Sequence, residues 1–416
     1  MSDAPATELI EGHRPIAAPP GVAEWDVDPY DPEILKNPEP FYRELRAKGP
    51  FVYLSRYAML ACGRYEETHE VFSDHERFVS SRGVGLQDFS LDEPWRPPSK
   101  LLEADPPAHD TVRRVIVRSM APNVVASIRD MFKQAADGLI TELVGKRSFD
   151  GVHDLARVFP TTVFPEAVGM RENDPDRLVD YGSMVFNAIG PDNEARRSAM
   201  AKGPDVVPWI TAACERQHLE NTGIGGIIYA AADAGEITEH EAGMLVRSLF
   251  SAGVDTTISG IASALYCLTA NPEAFAELKA SPNLARRCFE ETLRMFAPVH
   301  SFCRTANLDT EVAGVPIEEG SKILCMLGSA NLDEEYWPNA TTFDINRRPV
   351  GHLAFGMGIH NCPGQNVARA EAEAVLMAIA EKVDTLAFDG EPEWGVNNSV
   401  RYLKKLPLTL NQVMHT

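Results

Sequence analysis

Apolar residues recur at three- and four-residue spacing over most of the chain, the period of helices that bury one face. PEPFYRELRAKG (38–49) predicts a short amphipathic helix ending at Gly49. FVYLSRYAMLACG (51–63) alternates like a pair of short strands, and RYEETHEVFSD (64–74) returns to helical period. From Ala108 to about Ala285 the pattern is nearly all helical, with Pro and Gly breaks. LDTEVAGVPIEEGSKILCML (308–327) is rich in strand signals, with Gly314 and Gly320 at its turns. Helix resumes after Cys362, and RYLKKLPLTLNQV (401–413) reads as a strand. The pattern predicts a mainly α fold with small β-sheets near both ends. Neither an internal repeat nor a Gly/Ser linker interrupts it. One domain is expected over residues 21–416, preceded by a flexible Pro/Ala-rich arm over 1–20.

The most informative helical stretch opens at Thr238, with Glu241 three residues on, the signature of a capping box. It runs without proline to Asn271-Pro272, about 50 Å of helix at 1.5 Å per residue, enough to cross the domain. Its middle, SAGVDTTISG, is weak: Gly253, Thr256 and Thr257 are poor choices for a helix interior. The bland reading is a buried threonine bonding back to a carbonyl one turn earlier. The functional reading is a local distortion with a purpose.

Composition narrows the function. The net charge of −21 argues against nucleic acid or an anionic membrane as partner, since both need a basic face. Seven cysteines, with no CxxC pair, exclude a disulfide framework or structural zinc and fit reduced thiols in cytoplasm. The N-terminus lacks the basic and apolar regions of a signal peptide. Leu245–Ala270, the most apolar run, carries Arg247 and Asp255 and reads as a buried helix rather than a membrane span.

One thiol stands apart. HLAFGMGIHNCPGQNVAR (352–369) crowds glycines, two histidines and a proline around Cys362. A buried thiol is the ordinary reading of a free cysteine. A catalytic thiol needs an activating histidine, and His360, two residues away, does not face it on a helix. Zinc needs more ligands than His352, His360 and Cys362 offer. A thiolate ligand to haem iron fits better. Gly356, Gly358 and Gly364 let the backbone approach a flat macrocycle, and Phe355 can pack on it.

FGMGIHNCPG resembles the haem-binding loop of the cytochrome P450 monooxygenases, Phe-x-x-Gly-x-His-x-Cys-x-Gly. Further family marks follow in order: ADPPAHDTVRR, SAGVDTT, EETLR and FDINRR. The resemblance implies the cytochrome P450 fold, with the long central helix over a buried haem b. It implies splitting of O2 and insertion of one oxygen atom into substrate. Cys362 matches the axial iron ligand, and Asp255 and Thr256 match the acid–alcohol pair that delivers protons. His109, Arg113, Arg304 and His352 match propionate ligands, and Glu291, Arg294 and Arg347 match a buried structural clamp. The family usually has Thr or Ser after the first of these histidines. Asp110 stands there instead, unfavourable beside a propionate unless it points outward. Pro363 removes one backbone donor next to the sulfur, or simply starts the next helix. No flavin or nicotinamide domain is fused, so electrons come from outside. The resemblance implies a 2Fe-2S ferredoxin and a separate reductase. Arg113, Arg114, Arg118 and Arg369 are the candidate docking cations.

SSRGVGLQDF, EPWRPPS, MVFNAIGPDNE and LVRSLFSAGVDTT resemble the bacterial P450 enzymes that oxidise para-substituted benzoates, such as 4-methoxybenzoate O-demethylases. In that group a polar cluster holds the carboxylate; Arg96, Ser99, Arg247 and Ser248 match it. Ser248, Ala252 and Thr256 share one helix face, with about 12 Å between the first and last. An acid anchored at Ser248 therefore presents its para substituent near Thr256. Arg247 is turned roughly 100° from Ser248 and is expected to act through field or water. Leu102, Phe186, Ile189, Ala252, Val299 and Phe302 match the apolar slot, and each is also an ordinary core residue by type. Ile189 replaces a second aromatic, which reshapes the slot and leaves para-alkyl, alkoxy and cinnamate-like acids open. A terpenoid, fatty-acid or polyketide substrate would keep the enzyme class but not need the Arg96–Ser99–Ser248 cluster. A non-catalytic haem sensor would not need Asp255 and Thr256, and peroxide-driven relatives usually lack that pair.

Overall fold

The computed structural model describes residues 12–412. Of the arm expected over 1–20, residues 1–11 lie outside that range. Residues 12–20 are irregular and bonded to the body: Ile16 N–H donates to Ala58 O at 3.0 Å, and Arg14 to Glu319 O at 2.5 Å.

Helices build most of the molecule, as the pattern predicts. The helix Pro122–Lys146 packs along Gln365–Lys382, the helix that follows Cys362. The central helix is in fact two, Glu239–Gly253 and Asp255–Ala270, broken at Val254. The capping box at its start is formed in both directions, Thr238 side chain to Glu241 and back.

A six-stranded sheet joins the two ends of the sequence. Its spatial order is Ala23–Trp25, Val52–Leu54, Met59–Cys62, Lys322–Cys325, Phe302–Ala306 and Phe78–Val79. Leu60 pairs in parallel with Ile323, and Phe302 pairs antiparallel with Cys325. Phe302 and Arg304, two apart on one strand, thus leave the sheet on the same face. The C-terminal tail is not one strand but two, Leu403–Lys405 and Pro407–Gln412. The second is the middle strand between Val383–Phe388 and Ser148–Asp150. Ser148–Asp150 interrupts the region read as all helical.

The predicted clamp is present. Arg294 Nε and Nη2 each donate to Glu291 at 2.8 Å, and Arg347 Nε donates to Glu291 at 2.9 Å. Glu291 and Arg294 are fully buried. Arg294 also donates to Asn331 O at 2.8 Å, tying the helix Ala285–Phe296 to the turn Leu327–Ala330 beside the sheet.

Candidate active site

Gly356 and Gly358 adopt φ of +66° and +67°, a backbone conformation other residues rarely take. A Cβ on Gly358 would also lie 3.0 Å from Ser73 O. These turns bring the chain back so that Cys362 N–H donates to Phe355 O at 2.7 Å. Gly364, at φ −82°, needs no left-handed freedom and caps the next helix. Burial pushes the Cys362 thiol up; the Gly364 N–H, then Arg113 and Arg369, oppose it. A bound metal ion would hold such a thiol as thiolate outright.

Cys362 opens onto a cavity whose opposite wall is the helix break, with Ala252, Gly253, Thr256 and Thr257. Arg113, Arg304 and His360 stand at its edge. Arg304 is buried over the Phe72 ring at 3.9 Å, and burial lowers its pKa to about 10. Among the described residues its side chain makes one hydrogen bond, to Cys303 O. The His109 and His360 rings meet edge to face at 4.7 Å; among the described residues the Nε2 atom of each is buried without a hydrogen bond, that of His360 lying 3.8 Å from the Asp105 carboxylate. The carboxylates close to this group are Asp105 and, at His109, Asp110, so Arg304, Arg113 and the two rings around an apolar slot can still take a further anion. They fit a flat macrocycle with carboxylates, such as haem, ligated by Cys362. Asp110 points to solvent, and its carboxylate sits 3.2 Å from His109 Nδ1, so the departure at this position orients the ring.

His352 does not belong to this set. Its Nε2 lies 2.8 Å from Glu290, its Nδ1 accepts from Ala354 N–H, and it faces a depression outside the cavity. His360 lines the cavity where His352 was expected, and the signal was present inside the quoted loop. Phe355 lines the cavity as expected and carries Arg369 on its ring at 4.5 Å.

At the break, Thr256 Oγ1 donates to Ala252 O at 2.6 Å. Asp255 faces away from the cavity, toward the helix Pro175–Asn187, where Gly182 makes room: a Cβ there would lie 2.7 Å from the Asp255 carboxyl carbon. Its Oδ1 is buried without a hydrogen bond among the described residues. Burial raises its pKa to about 8; Asp180 adds to the rise and Arg157 opposes it.

Arg96, Ser99, Leu102, Phe186, Ile189, Arg247, Ser248, Ala252, Val299 and Phe302 all line the cavity. The two arginines differ from expectation. Arg96 is already paired with the buried Glu103 at 2.9 Å, and Glu103 also accepts from Ser99 N–H. Arg247 reaches the cavity and has no hydrogen-bond or ion-pair partner among the described residues. Tyr181, missed in the sequence, lines the same end within the field of both arginines. It sits on a helix whose apolar period reads as core.

The candidate docking cations are mostly committed. Arg113 donates to Asn361 O, Arg118 pairs with Glu236, and Arg369 pairs with Glu290. Arg114 remains exposed. Behind the Cys362 loop, Arg286, Arg287 and Arg348 line the depression, all exposed and without ion pairs among the described residues. No helix among the described residues is long and apolar enough to cross a membrane.

The cytochrome P450 family profile matches residues 216–281 and 282–394. The chain is 44% identical over 411 residues to cytochrome P450 CYP199A2 of Rhodopseudomonas palustris, spanning 99% of each. It is 29% identical over 388 residues to the beta-dihydromenaquinone-9 omega-hydroxylase of Mycobacterium tuberculosis, spanning 92% of this chain and 78% of that one. Among solved structures, cytochrome P450 CREJ in complex with (4-ethylphenyl) dihydrogen phosphate aligns at TM-score 0.83 and 25% identity, over 92% of this chain and 99% of that one. The chain belongs to the cytochrome P450 family. It is a monooxygenase, using haem iron, O2 and electrons from external redox partners.

Proposed function

We propose that the chain O-demethylates or hydroxylates para-substituted benzoic acids such as 4-methoxybenzoate, with electrons from a 2Fe-2S ferredoxin. The observation that carries this is Arg247: an unpaired guanidinium at one end of an apolar cavity, beside Ser248, Ser99 and Tyr181. A half-buried guanidinium there, with no ion pair among the described residues, gains a charge-assisted pair when an anion meets it. Arg247 and the hydroxyls bind the carboxylate; Arg96, neutralised by Glu103, positions Ser99 rather than the ligand. Phe186, Val299, Phe302 and Ile189 hold the ring, so the para group lies toward Thr256. The resemblance to para-substituted benzoate oxidisers supports this substrate class. So does CREJ, whose ligand is an aryl anion with a para-ethyl group.

Cys362 would hold the haem iron, and Arg113, Arg304, His360 and His109 its carboxylates. Bound haem supplies O2 activation. Thr256 and Asp255 hold and pass protons: Asp255 keeps its proton to about pH 8, and the broken helix gives the Thr256 hydroxyl access to the cavity.

The test is an optical titration of the ferric holoenzyme with 4-methoxybenzoate and its methyl ester. The acid is expected to shift the haem from low to high spin and the ester to do so weakly. Arg247→Leu is expected to weaken the acid about 100-fold and leave the ester unchanged, since a charge-assisted pair of this kind is worth about 2–3 kcal/mol. No shift with the acid would overturn the benzoate reading.

A further inference from the structure

The cavity wall at Ile189, its roof, is held where three segments distant in sequence meet: residues 82–92, the turn 187–193 that carries Ile189, and the loop 396–400. Their joint is a cluster of buried asparagines. Asn398 is fully buried and Asn187 nearly so. Asn398 N–H donates to Asn187 Oδ1 at 3.0 Å, and its Nδ2 donates to Asn187 O at 2.9 Å and Asn193 Oδ1 at 3.1 Å. Asn193 Nδ2 returns a bond to Asn398 Oδ1 at 2.7 Å. Every polar group of the Asn398 amide is thus used. Only a carboxamide offers two donors and an acceptor at this point; Asp lacks the donors and Leu lacks all three.

The contacts on either side are as close as backbones allow. A Cβ on Gly190 would lie 2.5 Å from Asn398 Cβ, and a Cβ on Gly85 would lie 2.4 Å from Ile189 O. Leu86 N–H donates to Ile189 O at 3.1 Å. On the far side, Val400 bridges to Val299, another cavity wall. Ile189 is therefore held from both flanks by polar contacts outside the cavity.

We propose that Asn398, with Asn187 and Asn193, is a latch that positions the roof of the substrate cavity, setting the rate of ligand exchange and the fit around the para substituent. Asn398 touches no substrate; it acts through Ile189 and Phe186. The inference rests on this cavity being the substrate site. A satisfied buried network opens as a unit, because partial breakage strands polar groups. Opening exposes the cavity, and closure fixes the ring.

Two variants break the latch by opposite means: Asn398→Ala removes the amide, and Gly190→Ala wedges the turn away from it. The probe is 4-phenylimidazole, followed by stopped-flow absorbance on the holoenzyme, because it reads access to the haem whatever the natural substrate. Both variants are expected to bind and release it about tenfold faster, with equilibrium affinity changed far less, as stranded buried amides destabilise the closed state. A residue that only supports the fold would lower the melting temperature and leave both rates alone. Wild-type rates in both variants would overturn the latch. Should either variant fail to fold, hydrogen exchange on the unaltered holoenzyme decides. Amides of 187–193 and 397–399 are expected to exchange together and slow together with the azole bound. Independent exchange would overturn the proposal. Failure of 4-methoxybenzoate to shift the spin state, with azole rates raised in the variants, would remove the benzoate reading and keep the latch.

Discussion

Asp255 is a carboxyl that the fold keeps neutral. Its pKa is raised by burial from 3.8 to about 8, so across that window the unfolded chain holds fewer protons at this site than the folded one. Stability therefore falls as pH rises through the window, by up to about 1.4 kcal/mol per pH unit. Asp255→Asn is expected to abolish this slope in melting curves taken from pH 4 to 8. It is also expected to slow product formation about 100-fold while leaving the substrate-induced spin shift intact, since only proton delivery is lost. Residue by residue, the site was largely legible. Every pocket residue that the resemblance implied lines the cavity, and for Ser248, Ala252 and Thr256 the shared helix face gives the reason. Sequence did not reveal which arginine is free. Glu103, four residues beyond Ser99, neutralises Arg96 through a loop whose path no periodicity predicts. Tyr181 and His360 were missed for different reasons: one looked like core, the other was weighed as thiol activator and zinc ligand and stood in the loop motif without a role of its own.

Elements were legible where a local rule set them. Thr238 and Glu241 marked a helix start, and Gly253, Thr256 and Thr257 marked its break, both as found. Strands such as Ser148–Asp150 and Phe302–Ala306 escaped. They are too short for alternation to show, and pairing outside the segment decides them: Ser148–Asp150 with Pro407–Thr409, and Phe302–Ala306 with Lys322–Cys325 and Phe78–Val79. The helix Ala285–Phe296 depends on its clamp. Glu291→Gln would leave Arg294 buried with a neutral partner. A loss of about 3–5 kcal/mol is expected, read as a lower melting temperature and leakage of haem. A fall within error of wild type would mean that Asn331 and the flanking backbone hold Arg294 unaided.

At the scale of the whole molecule, a chain of net charge −21 keeps three arginines, without ion pairs among the described residues, together behind the Cys362 loop. Such a contrast would steer the acidic redox partner proposed above to that face. Reduction by the proposed ferredoxin is expected to slow steeply with added salt. Arg348→Glu is expected to raise its KM about tenfold without altering the 4-methoxybenzoate spin shift. Equal rates at low and high salt would place docking elsewhere. The six-stranded sheet has a consequence for synthesis. Met59–Cys62 pairs with Lys322–Cys325, so an early strand must wait for one made near the end. At ~5–20 residues per second, a ribosome-bound chain spends on the order of tens of seconds with that strand edge unpaired. Cys362 emerges later still. The nascent chain thus carries an open sheet edge long before it has a ligand for iron, and that interval is when chaperones matter most.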